Sequence, residues 1–312
     1  MGEEVIEEGF ITMALYAFDG TGNEDKADDE KGGFDTSVLH FFQAYEDPSK
    51  NVDETKKLGS LYLKGIGTRA QTLVGDKVAE AFGFGGHRRV RQMMDRLEHN
   101  FEAGDFEIDV VGFSRGAALA ISFANEVASK LPKLTIRFIG VWDIVGEFGV
   151  AGEHLNAGHN LNMPPNVEHC YHAMALDERR AFFQLTRLSG TGAHALRPPV
   201  EVWFRGVHSD VGGGNGNFGL NWMALNWMYE NARRHGLKIS RSAIDTNLAR
   251  KTLKQDINEH KVALGPDRRI RPTDLLHASI QLDPTDTERQ RNDPKIPLAR
   301  IDDGGNITPV GG

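Results

Sequence analysis

Ser114, Asp143 and His208 are the residues of this sequence whose types and settings point most directly to chemistry. Ser114 stands between Gly112 and Gly116 in DVVGFSRGAALAI (109–121), an apolar run that breaks at Gly-x-Ser-x-Gly and leaves on an alanine-rich stretch. That spacing fits a sharp strand-to-helix turn, in which a strained backbone lifts the serine hydroxyl above a sheet edge. A serine that only caps the next helix leaves the same local pattern, so its partners decide between the two. A lone hydroxyl is a weak nucleophile and needs a general base within hydrogen-bond reach, itself oriented by a third group. His208, in VEVWFRGVHSDVGGG (200–214), is the candidate base, and Asp143, at the end of LTIRFIGVWD (134–143), is the candidate that fixes its tautomer. The chain order Ser, Asp, His is that of α/β-hydrolases, and the chemistry would be ester cleavage through an acyl-enzyme.

Rivals for each role stand in the same sequence. Asp210 follows His208 by two residues, where a capping role over the glycine-rich turn is expected. Asp177 in LDERR is expected to pair with Arg179 or Arg180, and His277 in LLHASI is the rival base. The negative charge that develops on a cleaved ester needs two donors. The backbone N–H of Arg115 is the natural first. Gly20 and Thr21 in FDGTGN (18–23) are candidates for the second, with Asp19 organising that loop.

For these residues to meet, three strands must end at one edge. FITMALYAF (10–18), GSLYLKGIGT (59–68), FEIDVVGF (106–113), LTIRFIGVWD and VEVWF (200–204) read as strands. Helices are expected near 36–45, over 88–101, after Ser114 to about Leu131, over LDERRAFFQLTRL (176–188) and over 220–236, the last closed by Gly236. Residues 147–172 read as irregular, and 283–312, with Pro284, Pro294, Pro297 and Pro309, as extended surface chain. Strands alternating with helices predict one α/β domain, a mostly parallel sheet with helices on both faces. In such sheets the site lies at the carboxyl ends of the strands.

Composition narrows the function classes. The chain has 312 residues, 39% hydrophobic and 26% charged, enough for a sizeable core. A formal net charge of −8 without a Lys/Arg block argues against a nucleic-acid partner. The single cysteine, Cys170, excludes an internal disulfide. No apolar run reaches the roughly 18 residues of a membrane span. MGEEVIEEGF is acidic where a secretory signal is basic, and Ile6 stands where a myristoylation motif takes Ser or Thr, so a cytoplasmic protein is expected, with any export independent of a cleaved signal. No cofactor or metal is expected. DGTGNEDKADDE lacks EF-hand spacing, and GVHSDVGGGNGNFG lacks the Gly-Lys-Ser/Thr ending of a phosphate loop. His154, His159, His169, Cys170 and His172 match no standard zinc spacing. Trp203, Trp222, Trp227 and Met223 are expected in the core.

Six blocks carry a family resemblance: FDGTGN (18–23), YLKGIGT (62–68), GDFEIDVVGFSRGA (104–117), GVWDIVG (140–146), HAMALDERRAF (172–182) and WFRGVHSDVGGG (203–214). In this order they resemble the catalytic domain of the type VI secretion phospholipase effectors, over about residues 15–236. The resemblance implies an α/β-hydrolase-like fold and a lipid or phospholipid ester as substrate, with at most transient contact to a membrane surface. It departs in two places. ALAI follows GFSRGA where many relatives have an aromatic and an arginine, and Ser37 stands where an asparagine is common. Many members also carry a large membrane-engaging region, for which no stretch is found here. Two alternatives follow: an enzyme for another acyl substrate (a peptide, thioester or carbohydrate ester), or a binding module on a hydrolase fold.

Overall fold

The structure is a computed structural model. It describes residues 13–20, 35–47, 58–65, 76–146, 160–188, 197–250, 257, 265–280 and 291–309, with side chains from 85 onward in the stretch beginning at 76. Strands β1 (Leu15–Phe18), β3 (Glu107–Phe113) and β4 (Thr135–Trp142) are buried almost throughout. Near-continuous apolar strands of this kind, interrupted inside β3 and β4 by the paired Asp109 and Arg137, belong to parallel sheets covered on both faces. With β2 (Leu61–Leu63), β5 (Val167–Ala175), β6 (Val200–Phe204), β7 (Leu275–His277), β8 (Ala299–Ile301) and β9 (Ile307–Thr308) they form a nine-stranded sheet in the order β2-β1-β3-β4-β5-β6-β7-β8-β9. Every pairing is parallel except β8 with β9.

Period-2 alternation sends side chains to two helical layers. Tyr16, Phe18, Ile108 and Val110 face α2 (Asp76–Glu102) and α3 (Arg115–Lys130), meeting Met93, Leu97 and Phe123. Leu15, Ala17, Val111 and Phe113 face α1 (Ser37–Ala44) and α5 (Phe218–Arg234), meeting Phe41, Phe42 and Trp227. Trp203 and Trp227 are fully buried and Trp222 nearly so, while Met223 packs on the core edge. The Thr36 hydroxyl caps α1 by accepting from the Leu39 N–H at 3.2 Å. Short α4 (His208–Gly212) follows β6, and α6 (Arg241–Ala249) follows α5. The chain leaves β1 to one side for β2 and leaves β3 to the other side for β4, so a topological switch point lies between the ends of β1 and β3, where such folds place their ligands. Ser114 is the residue at that end of β3.

Three expectations are corrected. Residues 167–172, expected as irregular, belong to the nine-residue strand β5 in the middle of the sheet. Its polar residues hide it: His172 is buried against Glu201, and His169 stacks on His235. Residues 176–188, expected as a helix, are turns and extended chain. Their charged side chains bond partners far along the chain, Glu178 the His208 amide and Arg187 Asp274, and a helix would withdraw them. In the C-terminal stretch, 299–301 and 307–308 are extended as expected but hydrogen-bonded, completing the sheet as β8 and β9.

Candidate active site

Two glycines set the serine. A Cβ on Gly112 would lie 2.7 Å from the Ala117 Cα, and one on Gly116 would lie 2.4 Å from the carbonyl oxygens of Phe18 and Asp19. Glycine at both positions lets α3 start against the ends of β3 and β1. Between them Ser114 adopts φ 60 and ψ −127, a conformation that L-residues with a Cβ rarely take. Its side chain makes no cap hydrogen bond to α3. Strain held by the surrounding packing, with the hydroxyl freed from capping, separates this turn from an ordinary helix start.

The hydroxyl is turned to His208. Ser114 Oγ lies 2.8 Å from His208 Nε2, and His208 Nδ1 lies 2.6 Å from Asp143 Oδ2. Residues 114, 143 and 208 therefore form a continuous line of hydrogen bonds across three strand ends. Asp143 sits just past β4, also at positive φ (41°), and is fully buried. The His208 ring is held between Phe113 and Phe183, with centroids 4.6 and 4.7 Å away. Its backbone N–H donates to Glu178 Oε2 at 3.1 Å. Burial pushes the imidazole below its ordinary pKa, against the pull of Asp143 and Glu178. A neutral imidazole is the form that accepts a proton. Burial alone would raise the Asp143 carboxyl, but Arg268 and His208 hold it well below the usual carboxylate range.

The rival residues have other employment. Asp210 caps its own turn, accepting from the Val207 N–H at 3.0 Å and from Asn215 Nδ2 at 2.8 Å. Asp177 does not pair with Arg179 or Arg180. The register that sets Ala175 beside Phe204 brings it to Arg205 at 2.7 Å and the Gly206 N–H at 2.6 Å. Arg180 pairs with Glu178 and Arg179 with Asp267. His277, in β7, faces Ser279 and Asp303. Asp19 ties its loop together, its Oδ2 accepting from the hydroxyls of Thr36 at 2.7 Å and Tyr62 at 2.5 Å. The Gly20 N–H donates to Asp19 Oδ1 at 2.6 Å, so it is engaged within its own turn, and Thr21 lies outside the described residues. Arg115 is the first residue of α3, where the backbone N–H has no place in the intrahelical ladder.

Sequence reasoning missed two residues around this line, Glu178, which grips the β6–α4 loop at the His208 amide, and Arg268, which grips Asp143, and it gave Asp177, which grips the same loop at Gly206, other partners. Glu178 lies in HAMALDERRAF (172–182), one of the blocks that carry the family resemblance, but nothing local marks Arg268. A cavity of about 340 Å³ lies on the far side of Phe183 and Arg268, with Arg180, Arg187, Leu185 and Trp203 also in its wall; Ser114, Asp143 and His208 do not line it. Among the described residues no group of His, Cys, Asp or Glu is arranged to hold a metal ion. His154 and His159 lie outside them. No helix among them is long and apolar enough to cross a membrane.

Comparison with known proteins adds the family. The model of the type VI secretion Tle1-like phospholipase effector catalytic domain matches residues 14–130 and 122–231. No curated protein matches. A crystal structure of an uncharacterized protein from Pseudomonas aeruginosa is similar in fold, with a TM-score of 0.55 and 20% identity over 78% of this chain and 49% of that one. A Tle1 effector, solved bound to the VgrG spike of the type 6 secretion system, is similar at 22% identity and a TM-score of 0.45 over 65% of this chain and 51% of that one. The chain thus spans about half the length of these solved relatives. With one family model matching most of residues 14–231, the chain belongs to the Tle1-like catalytic domain family of type VI secretion phospholipase effectors, a family of lipid-ester hydrolases.

Proposed function

We propose that this chain is a serine hydrolase that cleaves lipid carboxylic esters, phospholipids first among them, through an acyl-enzyme on Ser114. The observation that carries the reading is the hydrogen-bonded line from Ser114 through His208 to Asp143, on a serine held at φ 60. As Ser114 Oγ attacks the ester carbonyl, its proton passes to His208 Nε2 and the Oγ–carbon bond forms. The Arg115 N–H, at the start of α3, meets the oxyanion. Collapse breaks the ester C–O bond, and the leaving alcohol takes the proton from His208. A water molecule then gives a proton to His208 and attacks the acyl carbon. The carboxylic acid departs and Ser114 recovers its proton. Asp143 keeps Nδ1 protonated throughout and offsets the imidazolium charge without itself taking the proton.

Family membership supports the lipid ester as the substrate class. The test is fatty-acid release from phosphatidylethanolamine/phosphatidylglycerol vesicles and from soluble p-nitrophenyl esters. Wild type is expected to release acid from both and Ser114→Ala from neither. Cleavage of the soluble esters alone would reassign the substrate to another acyl class. Cleavage of neither by a folded wild type would favour the binding module.

A further inference from the structure

Arg268 comes from beyond the residues 14–231 matched by the family model, yet its side chain, only 7% exposed, ends on the acid of the proposed catalytic line. Nη1 donates to Asp143 Oδ1 at 2.5 Å and Nη2 to Oδ2 at 3.0 Å, a two-pronged grip on both oxygens. The same nitrogens donate to the carbonyls of Ala175 at 2.7 Å and Phe183 at 2.8 Å. The guanidinium is thereby fixed to the end of β5 and to the strand-like segment that packs on His208. Its own backbone is pinned in turn. Asn292 Nδ2 donates to the Arg268 carbonyl at 2.9 Å and to the Leu176 carbonyl at 3.1 Å, and the Asn292 N–H donates to Asp177 Oδ1 at 2.9 Å.

The acceptor positions of Asp143 are all taken. Oδ1 takes the Ala175 N–H and one prong of Arg268, and Oδ2 takes His208 and the other prong. A carboxylate gripped by a planar fork cannot rotate, so its second oxygen stays aimed at His208 Nδ1. The fork also shares the charge that His208 meets. Groups facing the imidazole are Asp143 past β4, Glu178 past β5, Arg268, and Ser114, with the rings of Phe113 and Phe183 on its two sides. Asp210, on its own turn, is directed to the Val207 N–H, Asn215 and Asn217. Among these Arg268 is the cation.

We propose that Arg268 is a positioning residue of this site: by clamping both oxygens of Asp143 it aims the carboxylate at His208 and tempers the charge that the imidazolium meets. It does not touch the reacting atoms, and its role as a catalytic aid rests on the hydrolase reading above. Two consequences separate it from a purely structural arginine. Removing the fork leaves Asp143 held only by the Ala175 N–H and His208, which loosens its aim and slows the serine. Removing its charge lets His208 hold a proton to higher pH.

The experiment uses the whole chain as wild type, Arg268→Met, Arg268→Lys and Arg268→Ala. One measurement is the rate of Ser114 labelling by a fluorophosphonate across pH; the other is the titration of His208 by NMR, which needs no catalysis. Arg268→Met is expected to label roughly ten- to a hundredfold more slowly, the scale of a misplaced catalytic group. Its His208 midpoint is expected to rise. Arg268→Lys, which keeps the charge but not the fork, is expected to label slowly with a midpoint near wild type. Arg268 lines the open cavity, so added methylguanidinium is expected to restore part of the rate in Arg268→Ala. Should Arg268→Met fail to fold, the lysine and alanine variants still decide the question. Wild-type labelling rates in the lysine variant, or no rescue of a slowed alanine variant together with an unmoved His208 midpoint, would overturn the proposal. A wild type that never labels, with a His208 midpoint that still moves, would instead sink the hydrolase reading and leave the Arg268–Asp143–His208 coupling standing.

Discussion

Asp143→Asn is a change of one atom whose cost follows from the geometry. Each oxygen of Asp143 faces two donors: Oδ1 the Ala175 N–H and Arg268, Oδ2 His208 and Arg268. An asparagine must place its NH2 at one of these positions, and either choice sets donor against donor. At the Oδ2 position the NH2 drives His208 to accept on Nδ1, which puts the proton on Nε2 and leaves Ser114 without a base. At the Oδ1 position it opposes the Ala175 N–H and leaves Arg268 half-paired in the interior. Rate should fall by about 10³–10⁴, the scale expected when the histidine is held in the wrong tautomer. Stability should fall as well, because breaking one partner of a buried ion pair costs about 3–5 kcal/mol. For 312 residues, at roughly 2 cal/mol/K each, Tm moves about 1.5 °C per kcal/mol, giving a drop of about 5–8 °C. The assays are fluorophosphonate labelling rates and a thermal melt on the same preparation. A variant that labels within tenfold of wild type and melts at the same temperature would refute both the acceptor pattern and the role of Asp143.

Other parts of the structure yield further predictions. Because burial holds His208 below its ordinary pKa, the acid limb of kcat/KM should have its midpoint below the usual histidine value of about 6.5; a midpoint at 7 or above would contradict this. Gly116→Ala should cost about 1–3 kcal/mol by overpacking and slow labelling, since its Cβ would strike two backbone carbonyls rather than a side chain able to move; an unchanged melt and rate would show that α3 can shift freely. Asp105, at the far edge of the sheet, accepts from the Ala14 N–H at 2.9 Å, and burial raises its carboxyl to about 7. A raised carboxyl favours the fold below its unfolded pKa and loses that contribution as pH rises through the folded value. Asp105→Asn should therefore gain stability over wild type from pH 5 to pH 8, by up to about 3 kcal/mol for the roughly two units between pH 5 and the folded value, at about 1.36 kcal/mol per unit. Equal differences in denaturant stability at the two pH values would count against it.

What the sequence disclosed and what it hid divide along the range of the interactions. The turn at 112–116 was legible because glycine spacing and a flanking apolar strand are local signals, and Ser114, Asp143 and His208 followed from strand ends meeting at one edge. The strands around Tyr16, Val110 and Ile139 announce themselves by near-continuous apolar runs. β5 did not, because VEHCYHAMA carries Glu168, His169 and His172, and the two histidines find their partners on β6 and after α5. LDERRAFFQLTRL has the apolar spacing of a helix, yet Asp177, Glu178 and Arg187 are committed to Gly206, His208 and Asp274, up to 87 residues away. Arg268 is the extreme case: an ordinary arginine in PDRRIR, made significant only by the carboxylate 125 residues before it. Buried ionic contacts between distant segments leave no periodicity to read. The bond from the Gly20 N–H to Asp19 Oδ1 is another contact that the residue types of DGTGN do not announce.

The central claim is that Ser114 is a nucleophile activated by His208. Its most direct test is to expose the folded protein to a fluorophosphonate and map the adduct by peptide mass. The account predicts one adduct, on Ser114, lost in Ser114→Ala and at least about a thousandfold slower in His208→Ala. A folded wild type that forms no adduct on Ser114, or a His208→Ala variant that forms it at the wild-type rate, would contradict it.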